Sequence, residues 1–400
     1  MIPLSKRVKN VTASPTLAIS AKAKEMQKRG EEVILFSAGE PDFDTPVLIK
    51  QAAITAIEKG FTKYTPASGI NELKETIVAK FHRDNNLDYN INQVIVSCGA
   101  KHTLYNCLQA ICNPDDEVII LSPYWVSYPE MIKLAGARPV AVSTEEKNGF
   151  LPSVSSIASA VSKKTKAIII NSPCNPTGCV YSEGLLKKIA EVVLKNDLFV
   201  ISDEIYEKII FDSKKHISIA SLGEDVKRRT FVVNAVSKTY AMTGWRIGYA
   251  AGPAEIIKAM ANIQSHSTSN PNSIAQKAAA EAIGGRQKEV LKMVSEFEKR
   301  RNFIVERLKS FDRVSFIKPG GAFYLFLNIG SFLDQNLGGR EIKNSVDFAD
   351  YLLEKTKVAA IPGSAFGADT YIRISFATSL DSLSKGLDRM EAMFFKSGVF

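Results

Sequence analysis

The run Thr230–Asn234 (TFVVN) leads through Ala235, Val236 and Ser237 to Lys238, and then into Thr239–Arg246 (TYAMTGWR). A lysine just beyond a buried strand loses hydration, so its pKa falls and its free amine can attack a carbonyl carbon. The apolar stretch Met242–Trp245 and a second cation at Arg246 distinguish Lys238 from an ordinary surface ammonium. A second run, Phe199–Ser202 (FVIS), ends in Asp203 with Tyr206 three residues on, placing an acid and a phenol at the carboxyl edge of a strand. Taken alone, Asp203 reads as a helix N-cap rather than a site residue. A third run, Ala167–Asn171 (AIIIN), enters Ser172–Gly178 (SPCNPTG), which either presents the Asn175 amide at that same edge or is simply a Pro/Gly turn.

The elements that must position these groups follow from hydrophobic patterning. Short continuous apolar runs such as Gln93–Ser97, Glu117–Leu121 and Arg246–Ala251 join the three above, as strands of a parallel sheet covered on both faces do. Helical spacing separates them, for example Leu185, Ile189, Val192 and Val193 within 185–196. Alternation of this kind over about 45–285 predicts an α/β domain with right-handed crossovers and a ligand crevice at the carboxyl edge. Beyond 286 the pattern changes to a long charged helix (287–310), strands around 322–328 and 371–377, and a terminal helix from Leu380. Residues 1–44 hold a helix (16–29) and a short strand (33–37), too little to fold alone, so a second α+β domain is expected from 1–44 plus 286–400.

Composition narrows the function class. The 400 residues carry 51 Lys+Arg against 42 Asp+Glu, a net +9, with 45% hydrophobic and 23% charged residues, as in soluble globular proteins. The basic residues are interleaved with acids, as in Glu296–Arg301 (EFEKRR), which reads as a solvated face rather than a nucleic-acid groove. Five cysteines without a C-x-x-C pair, and only four histidines, point to reduced thiols and no metal cluster. No apolar run reaches the length of a membrane span and no signal h-region follows Lys6 and Arg7, so a cytoplasmic protein is expected. Neither a P-loop nor a strand-linked G-x-G-x-x-G is present, which removes the main support for a nucleotide enzyme or a Rossmann dehydrogenase.

Asn175-Pro-Thr-Gly, Asp203-x-x-Tyr206, Ser237–Lys238 with Arg246 eight residues later, and Arg373 in YIRIS stand in the order seen in class I, fold-type I pyridoxal-phosphate aminotransferases. The segments SAGEPDFDTP (37–46), SPYWVSYPE (122–130) and AMTGWRIGY (241–249) resemble the bacterial aspartate aminotransferases of subgroup I-beta, and the similarity covers essentially the whole chain. The resemblance implies a large domain with a mainly parallel seven-stranded sheet, a small domain built from both termini, and a homodimer with active sites at the subunit interface. It implies pyridoxal 5′-phosphate as cofactor and reversible ping-pong amino transfer from L-aspartate to 2-oxoglutarate.

Carried onto this chain, the resemblance makes Lys238 the lysine that binds the cofactor covalently and later moves the substrate proton. Asp203 becomes the partner of the ring nitrogen, Asn175 and Tyr206 the donors to the ring oxygen, and Trp125 the aromatic stacked on the ring. Gly99, Ala100 and Lys101, after the strand ending at Ser97, form the phosphate loop, with Arg246 and a neighbouring subunit's Tyr64 reaching the same group. Many relatives carry a serine where this chain has Ala235, and Ser237 is the hydroxyl at hand. Arg373 and Gly39 would receive the substrate α-carboxylate, Trp125 and Asn175 would border the substrate, and Lys101, Ser14 and Thr16 would meet a distal carboxylate.

The same residues admit prephenate, also a dicarboxylate, as a further acceptor. An aromatic- or alanine-preferring aminotransferase and a non-catalytic cofactor-binding regulatory module are the remaining alternatives. The module would need an additional DNA-binding segment, for which this chain has no spare length.

Overall fold

The computed structural model describes residues 4–12 and 15–394. In chain order the strands are β1 (Ile34–Leu35), β2 (Val94–Ser97), β3 (Glu117–Ser122), β4 (Arg138–Ser143), β5 (Thr165–Asn171), β6 (Phe199–Asp203), β7 (Thr230–Ala235) and β8 (Gly248–Ala251). After a long helical stretch come β9 (Ser315–Phe316), β10 (Tyr324–Asn328), β11 (Gln335–Leu337), β12 (Arg340–Ile342), β13 (Val358–Ala359), β14 (Ile361–Pro362) and β15 (Tyr371–Ser375).

Seven strands form one sheet in the order β2-β8-β7-β6-β5-β3-β4. Only β8 runs against its neighbours, β2 and β7; the other pairings are parallel. This is the mainly parallel seven-stranded α/β sheet that the resemblance implied. Alternate residues of single strands enter different cores, which explains the continuous apolar runs. In β5, Ala167 and Ile169 pack beneath the helix Ala100–Ile111 with Leu104 and Leu108, while Ile168 and Ile170 meet Leu186, Ile189 and Val193 of the helix Glu183–Lys195. The Ser182 hydroxyl caps that second helix by accepting from the Leu185 amide.

The strands extend slightly beyond their sequence-based limits, β6 to Asp203 and β7 to Ala235. The expected strand 246–251 is shorter. It begins only at Gly248, because a 3₁₀ turn over Thr243–Trp245 and a left-handed Arg246 (φ 58°) precede it.

A second sheet, β14-β15-β10-β9, is antiparallel and carries Arg373 opposite Phe326 and Ile361. β1 pairs in parallel with β13, joining Ile34 to Val358, and Ile34 and Phe36 enter a core with Phe297, Ile304, Leu383 and Leu387. The helix Lys288–Leu308 corrects one expectation. Within EFEKRR, Arg300 and Arg301 are buried, not solvated. Asp42 accepts from Arg300 at 2.7 Å, and Asp212 accepts from both terminal nitrogens of Arg301 at 2.8 Å, supplying the counter-charges that burial requires. Among the described residues, no helix is long and apolar enough to cross a membrane.

Candidate active site

The carboxyl ends of β5, β6 and β7 lie side by side, so the residues that follow them converge. A cavity of about 280 Å³ is lined by Gly39, Trp125, Asn175, Asp203, Tyr206, Lys238 and Arg373, all expected from the sequence. Ser37, Tyr128, Asn171 and Tyr324 complete much of its wall.

Lys238 sits in the short helical turn Val236–Thr239 directly after β7, and its Nζ donates to the Gly39 carbonyl. Burial lowers its amine to about 8, against the opposing pull of Glu40; Arg373 and Arg246 depress it further. Asp203, the last residue of β6, is 1% exposed. Burial pushes its carboxyl up to about 6, while hydrogen bonds from the Tyr128 hydroxyl at 2.6 Å and the Ile205 amide hold it down. The helix N-cap alternative for Asp203 does not apply, since it closes a strand.

The Asn175 turn is tied to the strand ends by a relay. The Asn171 side chain donates to the Asp203 carbonyl at 3.0 Å and accepts from the Asn175 amide at 2.8 Å. The Asn175 oxygen in turn accepts from Arg373 Nη1 at 3.0 Å. That bond fixes the side-chain oxygen as the acceptor and leaves the Asn175 NH₂ group a donor with no hydrogen bond among the described residues. Arg373 also donates through Nη2 to the Ser37 carbonyl at 3.1 Å and lies 4.3 Å from the centre of the Tyr324 ring. Its Nε is buried without a hydrogen-bond partner among the described residues, a donor suited to a carboxylate. The Tyr206 and Tyr324 hydroxyls share a 2.9 Å hydrogen bond, and burial pushes the Tyr206 phenol well up, leaving it a neutral donor.

Beside the cavity, Gly99 (φ +90°) caps the helix Ala100–Ile111. A β-carbon at Gly99 would lie 2.5 Å from Arg246 Nη2, so only glycine lets the guanidinium rest on this helix start. Gly248 permits an equally close approach, since a β-carbon there would lie 2.2 Å from the Ala100 amide nitrogen. A guanidinium and the first amides of a twelve-residue helix thus meet at one point, a geometry that suits an anion. Lys101 Nζ stands 5.0 Å from the centre of the Trp125 ring, and burial with the nearby Arg246 lowers its pKa.

Other expected residues lie outside this constellation. Ser237 is buried in the turn before Lys238 but does not line the cavity. Tyr64 is 90% exposed and takes no part in the cavity of its own chain. Ser14 lies outside the described residues, as does the side chain of Thr16, whose backbone belongs to the helix Pro15–Lys28. The sequence reading missed Tyr128 and Tyr324. Tyr128 stands three residues after Trp125, in the first turn of the helix Ser127–Leu134, and their rings meet edge-on at 5.4 Å; Tyr324 is diagonal to Arg373 only through the β10–β15 register.

Glu204, Glu207 and His216 form the one group with metal-like spacing among the described residues. Its members already have partners. Glu204 accepts from Ser202, Ser218 and His216, and Glu207 pairs with Lys80.

A family model described as aminotransferase class I and II matches residues 31–390. The chain is 50% identical over 388 residues to an aspartate aminotransferase of Bacillus subtilis, covering 97% of this chain and 98% of that protein. It is 49% identical over 393 residues to a probable aspartate/prephenate aminotransferase of Rickettsia bellii, with 97% and 98% coverage. Among solved structures, the Thermus thermophilus aspartate aminotransferase with maleate superposes with a TM-score of 0.92 at 40% identity, covering 98% of this chain and all of that one.

Proposed function

The chain belongs to the class I and II aminotransferases, and from that premise we propose that it uses pyridoxal 5′-phosphate to move an amino group reversibly between L-aspartate and 2-oxoglutarate. The observation that carries this reading is the meeting of Lys238, Asp203 and Arg373 around one cavity.

The residues present fit the cofactor. The lowered Lys238 amine suits covalent capture of a carbonyl, the buried Asp203 carboxylate suits a cationic ring nitrogen, and the Arg246–Gly99 cradle suits a phosphate. When bound, pyridoxal phosphate supplies the electron sink for the charge left at the substrate Cα.

Everything else is the work of the chain. Asp203, ionised at neutral pH, would keep a facing ring nitrogen protonated. Tyr206 and the Asn175 NH₂ group would donate to the ring oxygen, and Trp125 would stack on the ring. Arg373 orients the substrate by its α-carboxylate, with the Gly39 backbone beside it, so that the Cα–H bond faces Lys238. Lys238 Nζ would take that proton and hold it for the return transfer. Lys101 attracts the second carboxylate of a dicarboxylic substrate. Maleate in the Thermus structure is itself a dicarboxylate.

A second acceptor, prephenate, is favoured by a specific finding: curated relatives at 44–49% identity are named aspartate/prephenate aminotransferases. Arg373 and Lys101 accept either dicarboxylate. The enzyme acts as a cytoplasmic homodimer in this reading. The 90% exposure of Tyr64, together with exposed Val47, Leu48 and Ile57, supports a face covered by a second copy.

The test is the visible spectrum of the purified protein loaded with pyridoxal phosphate. L-Aspartate should bleach the bound-cofactor band, and 2-oxoglutarate should restore it with glutamate as product; recovery with prephenate establishes the second acceptor. A band that never forms on adding pyridoxal phosphate defeats the reading.

A further inference from the structure

The sequence Cys174-Asn-Pro-Thr-Gly-Cys179 places a thiol at each end of the turn that carries Asn175. The turn folds back on itself. The Cys174 amide donates to the Cys179 carbonyl at 3.0 Å, and the Gly178 amide donates to the Cys174 carbonyl at 2.8 Å. Both cysteines are buried; the Cys174 thiol donates to the Pro123 carbonyl at 3.8 Å and the Cys179 thiol to the Phe150 carbonyl at 3.9 Å, while the backbone pairing holds the two residues side by side. The Thr177 hydroxyl donates to the Cys179 sulfur at 3.1 Å.

We propose that Cys174 and Cys179 form a dithiol switch that a small hydroperoxide closes and a thiol reductant reopens. The Cys174 sulfur attacks the peroxide; its O–O bond breaks, an alcohol or water leaves, and Cys174 becomes a sulfenic acid. The Cys179 thiol then displaces water from that sulfur and the S–S bond forms. Two electrons pass from the thiols to the peroxide, and the two thiol protons leave in the hydroxylic products.

The two sulfurs are unequal. The neighbouring Cys179 lowers the Cys174 thiol, while Cys174 and burial push Cys179 well up, which favours Cys174 as the attacking thiol. Cys107 and Cys112 are also close in sequence, yet burial raises both, and they serve as the internal comparison. Closing the turn would act on function through Asn175, which is bonded to Asn171 and Arg373.

The activity arm of this proposal rests on the aminotransferase reading; the mass arm does not. Trypsin releases Cys174 and Cys179 together in 167–187, and Cys107 and Cys112 together in 102–133. After brief treatment of the holoenzyme with hydrogen peroxide, the first peptide should lose two hydrogens and the second none. Transamination should fall at least about tenfold, the scale expected of a small displacement of a substrate-positioning group, and dithiothreitol should reverse both changes. Cys179→Ser, with Cys179→Ala as a second variant, should abolish the two-hydrogen loss and the reductant-reversible inactivation. Persistent thiols in 167–187, or a disulfide there without loss of rate, overturns the proposal. A reduced enzyme with no transamination overturns the aminotransferase reading, while the peptide masses still decide the thiol chemistry.

Discussion

The Tyr128 hydroxyl donates to Asp203 Oδ2 at 2.6 Å, and both groups are almost wholly buried. Desolvation raises the Asp203 carboxyl to about 6, and the Tyr128 bond limits that rise. Tyr128→Phe removes the donor, so Asp203 should ionise only at higher pH. The sign is fixed: ionised Asp203 is the form above its pKa, and the pH at which the cofactor ring nitrogen becomes stably charged should move upward by about one unit. A spectrophotometric pH titration of cofactor binding by both proteins measures it, and an unmoved midpoint would remove Tyr128 from this role.

Lys238 should show the complementary pH dependence. Its amine, lowered to about 8, captures a carbonyl only when neutral, so the rate of pyridoxal phosphate capture by cofactor-free protein should climb as pH rises through about 8 and then level off. Lys238→Ala should still bind the cofactor but transaminate at least about 10³-fold more slowly. Near-normal turnover in this variant would assign the proton transfer to another group.

At Arg373 the planar fork matters more than the charge. It spans the Asn175 side chain and the Ser37 carbonyl at 3.0 and 3.1 Å, a geometry that an ammonium cannot reproduce. Arg373→Lys should therefore lower kcat/KM for aspartate about 10²-fold, chiefly through KM. Steady-state kinetics of both enzymes decides this; a change under threefold would show that a point charge suffices.

For Lys101 the comparison is between substrates. Loss of a charge-assisted contact worth about 1.5–3 kcal/mol should lower kcat/KM for aspartate about 10- to 100-fold in Lys101→Ala. Alanine, which has no second carboxylate, should be affected little. Equal losses for both amino acids would make Lys101 a partner of the cofactor phosphate instead.

Much of this site was legible because burial on both faces leaves a plain trace in sequence. The parallel strands show as unbroken apolar runs, and Lys238 and Asp203 stand at their ends. β4 was not read as a strand because it lies at the sheet edge, where only Val142 is buried and the short run Pro139–Val142 begins with a proline. Tyr324 could not be read as a site residue, since nothing local distinguishes it from the neighbouring Phe323 and Phe326; its place depends on pairing with a strand some fifty residues away. Arg246 was legible as a cation, but its left-handed backbone was not, because the close approach at Gly99 that favours it lies about 150 residues earlier.

The pairing of β1 with β13 has a consequence for how the chain is made. Ile34 leaves the ribosome more than three hundred residues before Val358, its strand partner, and Ser37 waits still longer for the guanidinium of Arg373. The seven-stranded sheet, whose strands all lie between 94 and 251, can assemble while synthesis continues. The strand β1 must wait, unpaired, until β13 has been added. A nascent chain halted before β13 would hold the lysine and the aspartate of the site without the arginine that selects the substrate.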